Sequence, residues 1–440
     1  MVLARRTRRR QRPQKRLVPI KRPHQGRHRP ELAAKAAHAA RRPRTTPVGP
    51  MMSSHSSRSQ ITFVNLCRLL LVLAAQPCAS SPAIPVHVEP LAGSTGASIS
   101  TLIETNLLAS GALALTASRS ETAVVSGTVS GTRLEGRLIS PDGSELLRTL
   151  YDGPDLRRGA HELADDIVFA LTGQPGIATS RIAFVSDASG RPEIYVCEAD
   201  GRERRRVTYD GAVAAHPSLD RMGSLLTYTS HQGAQFDVFA LDLNEGVRRR
   251  VVTASGGNGG ASLSPDNQKL AVCMADTGWP TLVVLSLPGS EARPRARSLS
   301  LSRPGSLPSS PSWSPDGRHV VFSCDEGQGA GPQLYEVRPG HRSRRLSLGV
   351  SSAFSPDWAP DGERLVFVTQ HRGALWIALW HPGGARIRLL GPGRDPCWGA
   401  DSRHILYSTG DRLVRLNVDS HRQHTLIEGF GRLSEPSWTK

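Results

Sequence analysis

Several stretches of the sequence have residue types that could do chemistry. HELAD (161–165) has the histidine and glutamate of a metal-binding helix, in which two histidines one turn apart hold the ion. Asp165 stands where the second histidine would be, and Leu163 belongs to the apolar face, so the stretch predicts a structural helix. Asp316 and Asp361 recur as carboxylates, yet each sits in its own Pro-Asp-Gly turn, which predicts turn stabilisation rather than acid–base work. GPGRDPCWG and SGGNGG are glycine-rich without phosphate-binding spacing, and no G-x-S-x-G nucleophile motif occurs. Cys197, Cys273, Cys324 and Cys397 lie far apart, none at C-x-x-C spacing, each beside an apolar or aromatic residue. They read as small buried hydrophobes. No catalytic residue, metal site or cofactor is expected.

What remains is a binding surface. Six short segments, GAVAAHP, SGGNGGA, PGSLPSSP, GVSSAFSP, GPGRDP and GRLSEP, combine small residues with isolated polar groups. Small residues let a partner approach the backbone, while polar tips fix its register. The candidate partner-binding residues are His216, Asn258, Ser309, Ser310, Arg394, Asp395 and Glu435.

A repeat positions them. SLDRMGSLLTYTS, SLSPDNQKLAVCM, SWSPDGRHVVFSC, DWAPDGERLVFVT and CWGADSRHILYST each read as strand, turn, strand, and PSWTK (436–440) opens a sixth copy. The turn positions Gly223, Asn267, Gly317, Gly362 and Ser402 fall 44, 50, 45 and 40 residues apart, a β-propeller blade period. Each complete copy continues into two more strands, the last Arg-rich, as suits an exposed edge. Residues 181–210 supply three strands without an inner one, and PSWTK supplies an inner one without the rest. Together they close a six-bladed ring, with each of the six polar segments entering an inner strand at one mouth.

The fold class is therefore mainly β: a C-terminal six-bladed β-propeller over 177–440, closed by 433–440, preceded by a small α/β domain over 84–176. In that domain IPVHVEPL, TAVVSGTVSG, TRLEGRLIS and SELLRTLYDG read as strands. GASISTLIETNLLASGALAL and DLRRGAHELADDIVFALTGQPG read as helices, the second with Leu163, Ile167, Val168 and Leu171 on one face.

The formal charge of +17 is concentrated at the start: residues 1–50 hold 16 Lys or Arg and one acid, whereas 84–440 holds 37 of each sign. The balanced body argues against a nucleic-acid partner. The basic, proline-rich 1–50 reads as a disordered tail, either an arm for a polyanion or, the preferred reading, an artefact of the start site. Residues 51–83 read as a secretory signal, with Arg58 and Arg68 before the apolar run Leu69–Ala75 and small residues near Ala79 and Ala83. Cys78 lacks the small preceding residue of a lipidation site.

The helix ending LRRGAHELADDIVFALTGQPGIATSRIAFVS, run directly into WSPDG-type repeats behind an export signal, resembles the TolB family of the Tol–Pal system over residues 84–440. The resemblance implies a periplasmic protein that binds the peptidoglycan-associated lipoprotein Pal on one propeller face and presents an N-terminal segment to a TolA-like inner-membrane protein. It implies a monomer, peripheral to the envelope, that helps hold and invaginate the outer membrane during division. The family's Pal-facing His-Asn-Gly loop matches Gly257-Asn258-Gly259, carrying over Asn258 and Gly259 but not the histidine. The strand IPVHVEPL begins almost at the expected cleavage site, so the TolA-contacting segment is expected to be short or missing. A carbohydrate- or peptidoglycan-binding propeller is the alternative, disfavoured because Phe354 is the sole aromatic residue on the mouth segments. An accessory propeller of a peptidase system is the third.

Overall fold

Alternating apolar residues in IPVHV, AVVSGTVS and RLEGRLI send every second side chain to one face, and those faces build the N-terminal sheet. The computed structural model describes residues 83–440 apart from 233–234, 255–259, 276–279, 288–304, 328, 330 and 385. The basic stretch 1–50 and the apolar signal lie outside the described residues, as do Asn258 and Gly259. Strands β1 (Ile84–Val88), β2 (Leu113–Leu115), β3 (Ala123–Ser130), β4 (Arg133–Ile139) and β5 (Glu145–Asp152) form one sheet in the order β2-β1-β3-β4-β5. β1 runs parallel to both its neighbours.

Helices α1 (Gly96–Ala109) and α2 (Leu156–Thr172) join this sheet in a single core, Ile103, Leu107, Leu163 and Ile167 meeting Val86, Val125, Leu134 and Leu138. Asp155 caps α2 by accepting from the Arg158 amide, and Gly173 ends it at φ +68°. One expectation needs correction. The sequence reading ran α1 through Leu115, but the helix stops at Ala109. Gly111, at φ +66°, turns the chain, and Leu113–Leu115 becomes an edge strand paired with β1.

From Arg181 onward every strand belongs to the propeller. The second, fourth and fifth blades are four-stranded sheets with inner strands Val213–Leu219, Leu307–Trp313 and Phe354–Trp358. The third shows three described strands beginning with Ala261–Leu263, and the sixth begins with Arg394–Trp398. One long strand, Gln423–Trp438, serves two blades. Its first part pairs with Gly410–Asn417 of the sixth, and its last part pairs Leu433 with Ser186 and Trp438 with Ile182 of the first. The ring is thereby closed by backbone hydrogen bonds, and apolar clusters fill the spaces between adjacent blades.

The inner-to-second-strand turns explain the repeat. Gly223, Asn267, Gly317, Gly362 and Ser402 all take φ between 54° and 74°, the left-handed region that favours Gly and Asn. Asp316 accepts from the Ser314 hydroxyl and the Arg318 amide, and Asp361 from the Glu363 amide, so both aspartates hold turns. The four cysteines Cys197, Cys273, Cys324 and Cys397 are buried and unbridged. No helix among the described residues is long and apolar enough to cross a membrane.

The α/β domain rests on the side of the ring where these turns lie. Asp165 of α2 accepts from the Ala178 amide at 2.8 Å and the Thr179 amide at 2.9 Å, fixing the linker. Arg157 reaches Glu198 at 2.6 Å and also holds Asp200, both on the first blade.

Candidate binding site at the propeller channel

Each inner strand begins with the same local irregularity. In five blades a residue immediately before proline has a left-handed backbone: His216 (φ 52°), Ser310 (48°), Ser355 (49°), Asp395 (52°) and Glu435 (51°). Gly260, at φ 96°, takes the equivalent place in the third blade. The proline cannot join the ladder, so the pairing register slips at each of these five sites. A left-handed residue before proline is disfavoured twice over, by its own Cβ and by the following ring, at about 1–3 kcal/mol each. A strained conformation repeated around a ring needs support, and the inner strands supply it.

Two residues beyond each kink, a short polar side chain reaches the next blade. Ser437 accepts from the Leu219 amide at 3.0 Å, Ser218 from Leu263 at 3.5 Å, Ser312 from Trp358 at 3.2 Å, and Asp357 from Trp398 at 2.8 Å. At the junction of the sixth and first blades Cys397 holds the equivalent position, and burial pushes that thiol's pKa up, so it stays protonated. Four of the six blade junctions among the described residues therefore share one kind of hydrogen bond. A step further out, Trp313 and Trp398 donate their indole N–H to the preceding blade's Ser262 and Asp357 carbonyls, both at 3.1 Å.

The girdle surrounds a cavity of about 240 Å³ whose one mouth is the ring of kinked residues. His216, Ser310, Asp395 and Glu435 from the sequence reading line it together. They are linked around the rim: Asp395 accepts from the Glu435 amide at 3.3 Å, and Glu435 from the His216 amide. The His216 ring lies 3.4 Å from the same Glu435 carboxylate. Burial and the adjacent Glu435 raise the Asp395 pKa. Toward the opposite mouth the Lys440 ammonium bonds Asp357 at 2.6 Å and the Trp358 carbonyl at 2.8 Å. The mouth thus offers a rigid, polar rim with acidic and imidazole groups on strained backbone, suited to reading a partner's surface.

Two expectations are corrected here. The described candidates His216, Ser309, Ser310, Arg394, Asp395 and Glu435 are not on loops leading into the inner strands; they lie inside those strands. Ser309 and Arg394 precede the kink and do not line the cavity, Ser309 pairing across to Ser323 and Arg394 standing exposed. Sequence reasoning did not single out Ser355 and Gly260 on the rim, or Asp357 and Lys440 within. The x-Pro dipeptide opening five inner strands was the available signal for Ser355. Phe354 is half-buried against a core cluster.

Elsewhere, His161, Glu198 and Asp200 bring ligand atoms within 4.8 Å of one another. Arg157 already pairs with both carboxylates, so the group works as an ion-pair joint between α2 and the first blade.

Residues 168–440 match the family described as the TolB beta propeller domain. The Tol-Pal system protein TolB of Desulfosudis oleivorans is 32% identical over 155 residues, 35% of this chain and 35% of that protein. A protein TolB homolog of Chlorobium chlorochromatii is 30% identical over 195 residues, 43% and 42% of the two chains. These alignments span well under half of each relative's length. The crystal structure of TolB from Acinetobacter baumannii superposes with a TM-score of 0.69 at 21% identity, covering 82% of this chain and 97% of that one. That likeness concerns the fold.

Proposed function

The chain belongs to the TolB β-propeller family, and from that premise we propose that it is a periplasmic scaffold of a Tol–Pal system, a binding protein and not an enzyme. The propeller mouth captures a Pal-like lipoprotein in a system whose inner-membrane member is TolA-like, so that the outer membrane is held and drawn in at division. On this reading residues 51–83 are an export signal, 84–176 and 177–440 are the two working domains, and the protein is a monomer peripheral to the envelope.

The observation that carries the proposal is the rim of left-handed residues before proline, His216, Ser310, Ser355, Asp395 and Glu435, held on a rigid ring. Strain kept at five blades is costly to a fold that needed only a propeller. Asn258 and Gly259 join the proposed surface through the family's loop, and Ser309 and Arg394 flank it. The test is capture of envelope proteins by the full chain and by a Ser310→Arg/Asp395→Arg double variant. Wild type should retain a Pal-like lipoprotein, and the double variant should lose it while still melting in one cooperative transition. Equal capture by both would move the site off the mouth.

A further inference from the structure

A second recess lies where α1 faces the propeller, with a volume of about 500 Å³, within the range of small-molecule sites. Its charged lining is one-sided: Arg157, Arg202 and Arg415 against the single acid Asp200. Arg157 and Asp200 already satisfy one another. The positive groups left facing the recess are Arg415 and Arg202.

Arg415 is the telling residue. It is half-buried, and burial lowers its pKa because the charged guanidinium is poorly solvated there. Among the described residues none accepts a hydrogen bond from its guanidinium or stands within ion-pairing distance. The acids that act on it, Asp401 and Asp200, are committed elsewhere, Asp401 to His404 at 2.6 Å and Asp200 to Arg157. Directly across the strand pair stands His424, whose protonation burial and Arg415 both oppose. An imidazole held from protonation supplies the guanidinium no counter-charge, and a desolvated cation without a partner is costly. An anion in the recess would supply the missing partner.

We propose that this recess between the two domains binds an oxyanion, the phosphate or carboxylate group of a small organic molecule, with Arg415 as its forked donor. Arg202, largely exposed at the rim beside Asp200, adds a second positive charge. The remaining wall suits a hydrocarbon portion: Leu102 on α1 and Leu426 on the propeller face the same space. Thr101 and Thr105 donate their hydroxyls to helix carbonyls, so they offer lone pairs and not protons. Recognition therefore rests on the guanidinium, whose planar fork matches both anions. Because the walls come from both domains, an occupant would tighten the joint between them.

The test titrates the full chain with inorganic phosphate and, separately, with succinate, by calorimetry and by thermal melt, against sodium chloride at equal ionic strength. Binding of phosphate alone, of succinate alone or of both supports the site and identifies its anion class. Arg415→Met should weaken binding at least about tenfold and Arg415→Lys less, since lysine keeps the charge without the fork. Arg202→Ala, at an exposed position, should weaken it without touching the fold. No binding beyond that of chloride, or equal binding by wild type and Arg415→Met, overturns the proposal. Lipoprotein capture by the channel mouth is a separate readout and should be the same in Arg415→Met as in wild type.

Discussion

Four blades carry a tryptophan at the same step of the inner strand, and they differ in one respect that can be measured. Trp313, Trp398 and Trp438 donate their indole N–H to the Ser262 carbonyl, the Asp357 carbonyl and the Ser180 hydroxyl at 3.1, 3.1 and 2.7 Å. The Trp358 indole nitrogen is sealed from solvent without an acceptor among the described residues. All four side chains are buried, between 0 and 6% exposed, so replacing each with phenylalanine removes a similar volume. At positions 313, 398 and 438 the change also orphans a buried acceptor, at about 1–2 kcal/mol. At 358 it removes a donor that was unsatisfied, so this part of the cost vanishes. An unfolding entropy of roughly 2.1 cal/mol/K per residue over the unit Gln76–Lys440 gives about 0.8 kcal/mol/K, so the difference should appear as about 2 °C in Tm. Scanning calorimetry of the four single variants is the assay. Trp358→Phe should be the mildest. If it melts with or below the other three, the hydrogen-bond argument for the girdle fails.

Three further outcomes follow from the structure. Lys440→Ala leaves the largely buried Asp357 carboxylate without its cation and should cost about 1–3 kcal/mol; adding Asp357→Asn should recover part of the lost Tm, and no recovery would assign the effect to packing. His161 and Arg157 hold the Glu198 carboxyl down at about 2, against an ordinary 4.5. A depressed carboxylate stabilises the fold above its unfolded pKa and loses that contribution as pH falls through the folded value, so wild type and Glu198→Gln should differ above about pH 4.5 and converge toward pH 2. Melts that stay parallel across that window would remove Glu198 from the joint. Burial pushes the thiol pKa values of Cys197, Cys273, Cys324 and Cys397 up, so peptide mapping should find all four unlabelled by a thiol reagent in the native protein and labelled after denaturation.

Much of the propeller was legible because its repeat writes the same physical demand several times. The turn needs a left-handed residue, and Gly, Asn and Ser at five equivalent positions answer it. The helix of HELAD was legible from Leu163 and Ile167 on one face. The end of α1 was not: LLASGALAL is apolar on both sides of Gly111, and only pairing with β1 decides that Leu113–Leu115 is a strand. At the mouth, single residues such as His216 and Asp395 stood out by chemical type, whereas Ser355 did not. Its role comes from backbone conformation, which a serine does not announce. The girdle was hidden for a similar reason. Ser, Asp and Cys at one register position look unrelated until the ring places each beside the next blade's amide. Arg415 looked like one of several alternating arginines on outer strands, and only burial beneath α1 distinguishes it.

The most direct test of the central reading is site-specific photocrosslinking in the envelope. A crosslinker at Ser310, on the rim, is compared with one at His341, in the turn between the outer strands of the same blade. Crosslinking of a Pal-like lipoprotein from position 310 and not from 341 is the expected result. Crosslinking from 341 alone, or of no envelope protein from 310 in a folded chain, would show that the kinked rim is not where the partner binds.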